Sequence, residues 1–240
     1  MSPSSAPLAG RAVIVTGGSR GIGFAIARTL TAAGASVAIT GRDAAALEAA
    51  RRELGGQTLA LKADVQHESE AAQAVADAAG RFGGLDVLVN NAGVGLFAPV
   101  ADMTGAQWRQ VLDTNLSGVF YCCHAALPHL RRRGGGWIVN ISSLAGKNGF
   151  PNGAAYCASK AGLNEFSEAL MQEVRHDNIR VAYVMPGSVA TGFGGRGDQG
   201  RADWKLSPDD VAQTVMDLLG HPDRSLPSRV ELRPSRPPKK

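Results

Sequence analysis

One rhythm constrains this chain more than any other feature: short apolar runs alternate with longer segments of helical periodicity from one end to the other. The runs are Ala12 to Thr16, Ser36 to Thr40, Thr58 to Leu61, Val87 to Asn90, Trp137 to Ser142, Arg180 to Val184 and Val230 to Leu232. Helices are expected between them, over about 21–33, 43–54, 67–82, 105–132, 153–176 and 207–219. Near-continuous apolar runs suit strands covered on both faces, and parallel pairing of such strands needs helical crossovers. Right-handed crossovers then wind the seven runs into an α/β fold, a doubly wound, Rossmann-type parallel sheet with helices on both faces.

With 240 residues, 44% of them hydrophobic and 30 glycines, the chain suits one large packed domain, expected over 10–234. Residues 1–9 read as a disordered Ser/Pro/Ala-rich lead-in and 235–240 as a basic tail. No stretch approaches the roughly 18 apolar residues of a membrane span, and the start carries no secretory pattern, so a cytoplasmic protein without a membrane partner is expected. The cysteines agree: Cys122 and Cys123 are adjacent and Cys157 has no C-x-x-C partner. The formal charge of +4 sits entirely in the last twelve residues, where Arg229, Arg233, Arg236, Lys239 and Lys240 face only Glu231. A basic end on a neutral body is a solvated tail rather than a polyanion-binding face, so no nucleic-acid partner is expected. His67, His124, His129, His176 and His221 show no metal-ligand spacing, and no metal is expected. Trp108, Trp137 and Trp204 are candidates for core or lid.

The first run leads into Thr16-Gly17-Gly18-Ser19-Arg20-Gly21-Ile22-Gly23, and Phe24, Ile26, Ala27 and Leu30 then supply helical spacing. A glycine turn at a strand-to-helix junction lets backbone N–H groups approach a phosphate, and the helix start adds partial positive charge, so a dinucleotide pyrophosphate fits here. Tyr156 and Lys160, four residues apart on a helix, share a face. An ammonium near a phenol favours the phenolate and lowers its pKa, so this pair reads as an acid/base tuned by Lys160. Asn115 falls inside a helix, where an asparagine without a role belongs at the solvent.

These motifs together resemble the short-chain dehydrogenase/reductase family, closest to its single-domain ketoreductases such as 3-oxoacyl-carrier-protein reductases. The resemblance rests on Thr16-Gly-x-x-x-Gly-x-Gly, Asn90-Asn91-Ala92-Gly93, Asn115, Ser142-Ser143, Tyr156-Cys-Ala-Ser-Lys160 and Pro186-Gly187-Ser-Val189-Ala-Thr191, in that order over residues 10 to 234. It implies NADP(H)-dependent reduction of a carbonyl, or the reverse alcohol oxidation, with Tyr156 as acid/base and Lys160 as its tuner. Ser143, thirteen residues before Tyr156, would hold the carbonyl oxygen in preference to Ser142. Asn115 would hold a water linking Lys160 to solvent. Cofactor contacts are implied for Gly17, Ser19, Arg20, Gly21, Ile22, Gly23, Asp64, Val65, Asn91, Gly93, Pro186, Gly187, Val189 and Thr191, with Tyr156 and Lys160 also bonding the ribose.

The phosphate preference follows from the end of the second run, Thr40-Gly41-Arg42, where an NAD-binding site would carry a carboxylate for the ribose hydroxyls. Gly41 has none. Arg42 and Arg20 supply two cations for a 2′-phosphate, Ser19 adds a hydroxyl donor, and Asp43 is expected to turn away as a helix N-cap.

Three further expectations concern the surroundings. The Gly-rich stretch between Thr191 and Pro208 reads as a small mobile lid, with Phe150, Asn152 and Phe193 near the substrate. The helices over 105–132 and 153–176 carry Val111, Leu112, Leu116, Val119, Phe120, Leu163, Phe166, Leu170 and Val174, more than one apolar stripe needs, and the resemblance implies a homodimer or homotetramer through them. Two rival readings are a non-catalytic dinucleotide-sensing regulator and an epimerase or dehydratase on the same fold. The first would have lost the acid/base group; the second generally carries a longer C-terminal substrate region.

Overall fold

The computed structural model describes residues 7–195 and 203–238. Within them lie seven strands, β1 (Ala12–Val15), β2 (Ser36–Gly41), β3 (Leu59–Lys62), β4 (Val87–Asn90), β5 (Gly136–Ile141), β6 (Ile179–Pro186) and β7 (Arg229–Leu232). Every pairing between them is parallel, in the order β3-β2-β1-β4-β5-β6-β7. The chain winds outward from β1 to β3 and then crosses back to β4. Loops leaving β1 and β4 therefore diverge at the carboxyl edge and open a crevice there.

The helices are α1 (Gly21–Ala32), α2 (Ala44–Leu54), α3 (Glu68–Phe82), α4 (Gly105–Leu112), α5 (Gly118–Arg132), α6 (Ala154–Val174) and α7 (Pro208–Leu219). Strand alternation divides their packing between two faces. Val13, Val15, Val37, Ile39, Val89, Val139 and Val184 meet α1, α2 and α7 through Ile26, Leu30, Leu47 and Val215. Ile14, Ala38, Leu88, Ile138 and Val181 meet α3, α5 and α6 through Val75, Ala78, Val119, Ala126, Leu163 and Leu170. The helix expected over 105–132 is two helices joined by a π-turn at Asp113–Ser117, where hydrogen bonding lengthens by one residue.

The amino edge of the sheet is tied by a buried carboxylate. Asp86 accepts the Ala12 N–H at 2.8 Å and lies 3.1 Å from both Arg11 and Arg133. Burial opposes its ionisation, yet the bonds from Ala12, Arg133 and Arg11 hold its carboxyl below the usual carboxylate range. Leu8, inside the expected lead-in, is packed on the first core, with its N–H on the Ala33 carbonyl at 2.9 Å; residues 1–6 of that lead-in lie outside the described residues, as do 196–202 of the expected lid and 239–240 of the tail. Trp137 is a core residue with the Arg180 guanidinium 4.3 Å from its ring centroid, whereas Trp108 lines an external groove.

Candidate active site

The glycine turn after β1 is built by close approach. Gly17 has φ of +64°, and a Cβ there would lie 2.9 Å from the Ala92 Cα. A Cβ on Gly23 would fall 2.3 Å from both the Gly17 carbonyl oxygen and Asn91 Nδ2. Thr16 and Asn91 then lock the turn to the loop after β4. The Thr16 hydroxyl oxygen accepts the N–H groups of Asn91 and Ala92 at 3.0 Å, and Asn91 Nδ2 donates to the carbonyls of Thr16 and Gly17 at 3.0 and 3.1 Å. Asn91, implied as a ribose contact, thus uses both amide hydrogens to hold the turn.

Helix α1 begins at Gly21 without a side-chain cap, whereas Asp43, Thr104 and Ser207 cap α2, α4 and α7. Its first N–H groups have no side-chain acceptor, and the half-buried Ile22 packs on the core behind them. Such an end is suited to a phosphate. Thr191 comes over it from the far side of the crevice, 3.5 Å from where a Cβ on Gly21 would lie.

At the end of β2, a Cβ on Gly41 would be 3.7 Å from the Ser19 hydroxyl, so the turn and the strand end face each other. Arg20 and Arg42 are both exposed there. Asp43 turns into α2, accepting the N–H groups of Ala45 and Ala46. One partner was not anticipated: the Arg42 guanidinium lies 3.7 Å from the Asp64 carboxylate, which also accepts the Gln66 N–H. Val65 is buried with its carbonyl against Gly118, a core position as well as a cleft one.

The second half of the crevice gathers around α6. Lys160 is 4% exposed, donates from Nζ to the Ile141 carbonyl at 2.8 Å, and stands 5.9 Å from the Tyr156 ring centroid. Burial pulls its pKa down to about 8. The expectation that Lys160 lowers the Tyr156 pKa is not met. Burial raises the half-buried phenol above its ordinary value, opposed by the Ser143 hydroxyl and reinforced by Cys157. The ammonium stands back from the phenol at the Ile141 carbonyl, so desolvation decides the direction.

Ser143 faces Tyr156 and caps a short turn over Leu144–Gly146, accepting the Ala145 N–H at 3.1 Å. Ser142 points the other way, donating to Asn164 Oδ1 at 2.5 Å. The ladder continues to Ser142, whose N–H bonds the Val184 carbonyl at 2.7 Å, so the two consecutive hydroxyls leave on opposite faces. Asn115 lies in the π-turn, fully buried, and is no solvent-facing asparagine. Its Oδ1 accepts the Val94 N–H at 2.8 Å, and its Nδ2 donates to the Val94 carbonyl and the Ser159 hydroxyl at 2.9 and 3.0 Å. Both its N–H groups are engaged, leaving one lone pair on Oδ1 for the water the resemblance implies. Gly93 fits between, a Cβ there being 3.3 Å from Asn115 Oδ1 and 3.9 Å from Lys160 Nζ.

Beyond β6, Pro186 is buried and the Gly187 N–H bonds the Leu232 carbonyl at 2.8 Å. Val189 is bridged to Leu206, with Ala190 and Ser188 bonded to Leu206 at 2.8 and 2.9 Å. The expected lid is thereby closed at its base. Phe97, which no motif marks, packs edge-on against Tyr156 with centroids 5.7 Å apart.

The family model for short chain dehydrogenases matches residues 11–201. The chain belongs to that family. Within it, the chain is 34% identical to the 3-oxoacyl-[acyl-carrier-protein] reductase of Chlamydia muridarum over 237 residues, covering 93% of this chain and 95% of that protein. Among solved structures it is similar to a metagenomic short-chain oxidoreductase in complex with NADP, at 39% identity and a TM-score of 0.85, covering 96% of this chain and all of that one. It also matches an alcohol dehydrogenase of the archaeon Thermococcus sibiricus complexed with 5-hydroxy-NADP, at 29% identity and a TM-score of 0.88, covering 96% and 99% of the two chains. The protein is therefore an oxidoreductase, and the motifs of its sequence fall on the two walls of one crevice.

Proposed function

We propose that this protein is an NADPH-dependent carbonyl reductase, with the reverse alcohol oxidation open to it, acting through Tyr156, Ser143, Lys160 and Asn115. The observation that carries the reading is the Tyr156 phenol with the Ser143 hydroxyl facing it and the buried Lys160 on the same helix face, across the crevice from an uncapped helix N-terminus. The nicotinamide, when bound, supplies or accepts the hydride.

The protein's own groups do the rest. The N–H groups at Gly21 and Ile22 and the glycine turn would hold the pyrophosphate, with Gly93, Asn91, Pro186, Gly187, Val189 and Thr191 along the rest of the cofactor. Ser143 donates to the carbonyl oxygen and orients it toward Tyr156. Tyr156, resting as the neutral phenol, donates its proton to that oxygen as charge develops. Lys160, with a pKa near 8, exchanges a proton close to neutral pH and is suited to recharging the phenol. The presence of this whole set weighs against a non-catalytic regulator.

For the cofactor, Gly41 leaves room where a carboxylate would repel a 2′-phosphate, and Arg20, Arg42 and Ser19 border that room. The Arg42–Asp64 pair, with the guanidinium exposed and the carboxylate partly buried, is loose enough at 3.7 Å to be exchanged for a phosphate at small cost. Initial rates with NADPH and NADH against a panel of ketones test both parts: a kcat/KM for NADPH well above that for NADH is expected, and equal values would defeat the preference.

A homodimer or homotetramer through α5 and α6 is part of the proposal on narrower grounds than the sequence suggested. Val111, Val119, Leu163, Leu170 and Val174 are buried within the chain's own core. Phe120, 47% exposed, instead forms a patch with Tyr121, His124 and Phe166 at centroid distances of 5.7, 5.8 and 6.4 Å. Light scattering should give at least a dimer, and Phe120→Glu should shift it toward monomer.

A further inference from the structure

The chain has seven phenylalanines, and three of them, from three loops far apart in sequence, form a cluster that includes Tyr156, two against its ring and the third against one of those two. Phe97 follows β4, Phe150 precedes α6 and Phe193 follows β6. The Phe97 and Phe193 rings lie 5.7 and 5.6 Å from the Tyr156 ring, at 71° and 55°, and Phe150 joins Phe97 at 5.8 Å. The Phe150 and Phe193 rings are 41% and 40% exposed. Core packing does not account for rings left in water beside a polar group.

The arrangement is held by backbone. The Ala98 N–H bonds the Asn152 carbonyl at 3.0 Å, joining the Phe97 and Phe150 loops, and Asn152 takes a left-handed φ of +66° to make that turn. Each ring rests where a neighbouring glycine has no side chain. A Cβ on Gly95 would fall 2.6 Å from the Phe193 ring, one on Gly194 2.7 Å from Phe97, and one on Gly153 2.5 Å from Phe150.

We propose that Phe97, Phe150 and Phe193 form a specificity wall selecting carbonyl compounds that carry an aryl group next to the carbonyl carbon. A carbonyl oxygen placed at Ser143 and Tyr156 puts its substituent beside the Tyr156 ring, where tilted and edge-on neighbours already set the geometry that a flat ring can join. Aromatic pairs gain from the ring quadrupole beyond the area they bury, so an aryl group is favoured over an aliphatic ring of equal bulk. The proposal rests on the reductase reading above and names its substrate class.

The test compares acetophenone with cyclohexyl methyl ketone, matched in bulk, alongside 2-octanone, 2,3-butanedione and a 3-oxobutanoyl thioester, all with NADPH. The kcat/KM for acetophenone should exceed that for the cyclohexyl ketone about tenfold. Phe193→Leu and Phe150→Leu, which keep the wall apolar, should bring that ratio toward one, mainly through a raised KM for the aryl ketone. Turnover of the dione or thioester with an aryl-to-cyclohexyl ratio near one, or a ratio that both variants leave intact, overturns the aromatic wall and leaves the reductase standing. Absence of NADPH oxidation with every compound defeats the reductase reading and the wall with it.

Discussion

The two walls of the crevice are made by different means. On the cofactor side the shape is backbone: glycines whose Cβ atoms would overlap Ala92, Gly17 and Asn91, locked by four bonds among Thr16, Gly17, Asn91 and Ala92. The substrate side is shaped by side chains on loops, with Phe97 and Phe193 against Tyr156, Phe150 behind Phe97 and a connection after β6 closed through Leu206. A backbone site fixes a ligand common to many chemistries, because few substitutions fit it. A side-chain site can change its ligand by exchanging rings while the strands beneath stay as they are.

The strongest way to break this division is Tyr156→Phe. The ring contacts persist and the transferable proton is gone, so kcat should fall by about 10²–10⁴ while NADPH still binds, weakened by no more than one ribose hydrogen bond. Stopped-flow hydride transfer together with a fluorescence titration of NADPH checks both halves, and a rate equal to the unmodified protein would remove Tyr156 as the acid.

Lys160 joins the two walls and carries the next effect. Its pKa falls from 10.5 unfolded to about 8 folded, so below pH 8 both states are charged and the cost of burying the cation is fully present. As pH rises from about 8 toward 10.5 the folded state alone has lost its proton, and that cost is relieved. Lys160→Met, apolar and similar in length, should therefore be inactive yet more stable by about 2 kcal/mol at pH 7, after allowing for the lost bond to Ile141. Urea unfolding at pH 7 and pH 10 should show the gain shrinking at the higher pH; a destabilised variant at pH 7 would mean that burial of charge is not the dominant contribution.

Gly41→Asp sharpens the comparison from the cofactor side alone. A Cβ there meets Leu47 at 3.5 Å and the Ser19 hydroxyl at 3.7 Å, ordinary contacts, so the fold should accept the carboxylate. The NADPH-to-NADH ratio of kcat/KM should drop about tenfold or more, while the aryl-to-cyclohexyl ratio holds. Movement of both ratios together would show that the walls are coupled.

Much of the sheet was legible because parallel strands must be apolar on both faces and their crossovers must be helical; the expected runs at β1 to β7 differ from the observed strands by at most two residues at an end. The cofactor wall was legible for a related reason, since close backbone approach requires glycine and glycine can be counted. Three things were not. The Tyr156 pKa depends on how deeply the phenol is desolvated and where Lys160 finds an acceptor, and a spacing of four residues states neither. Phe97 sits in a loop, where no period marks which way a ring faces. The surplus of apolar residues over 105–132 assumed one unbroken helix, and the π-turn rotates the second part so that Val119 enters the core.

That turn has a consequence for how such a protein can change by insertion and deletion. Five residues, Asp113–Ser117, occupy the turn that four would in a regular helix, so removing one would restore ordinary winding while leaving α4 and the rest of α5 in their present orientation. What would be lost is the turn itself: Asn115 would be drawn away from Val94 and Ser159, while Val119, Cys122, Cys123, Ala126 and Leu130 kept their places on the sheet. The core would accept either residue count here and the Asn115 contacts only one, so this helix is held to its length by the active site alone, and length variation among its descendants should gather in the loop after Thr191.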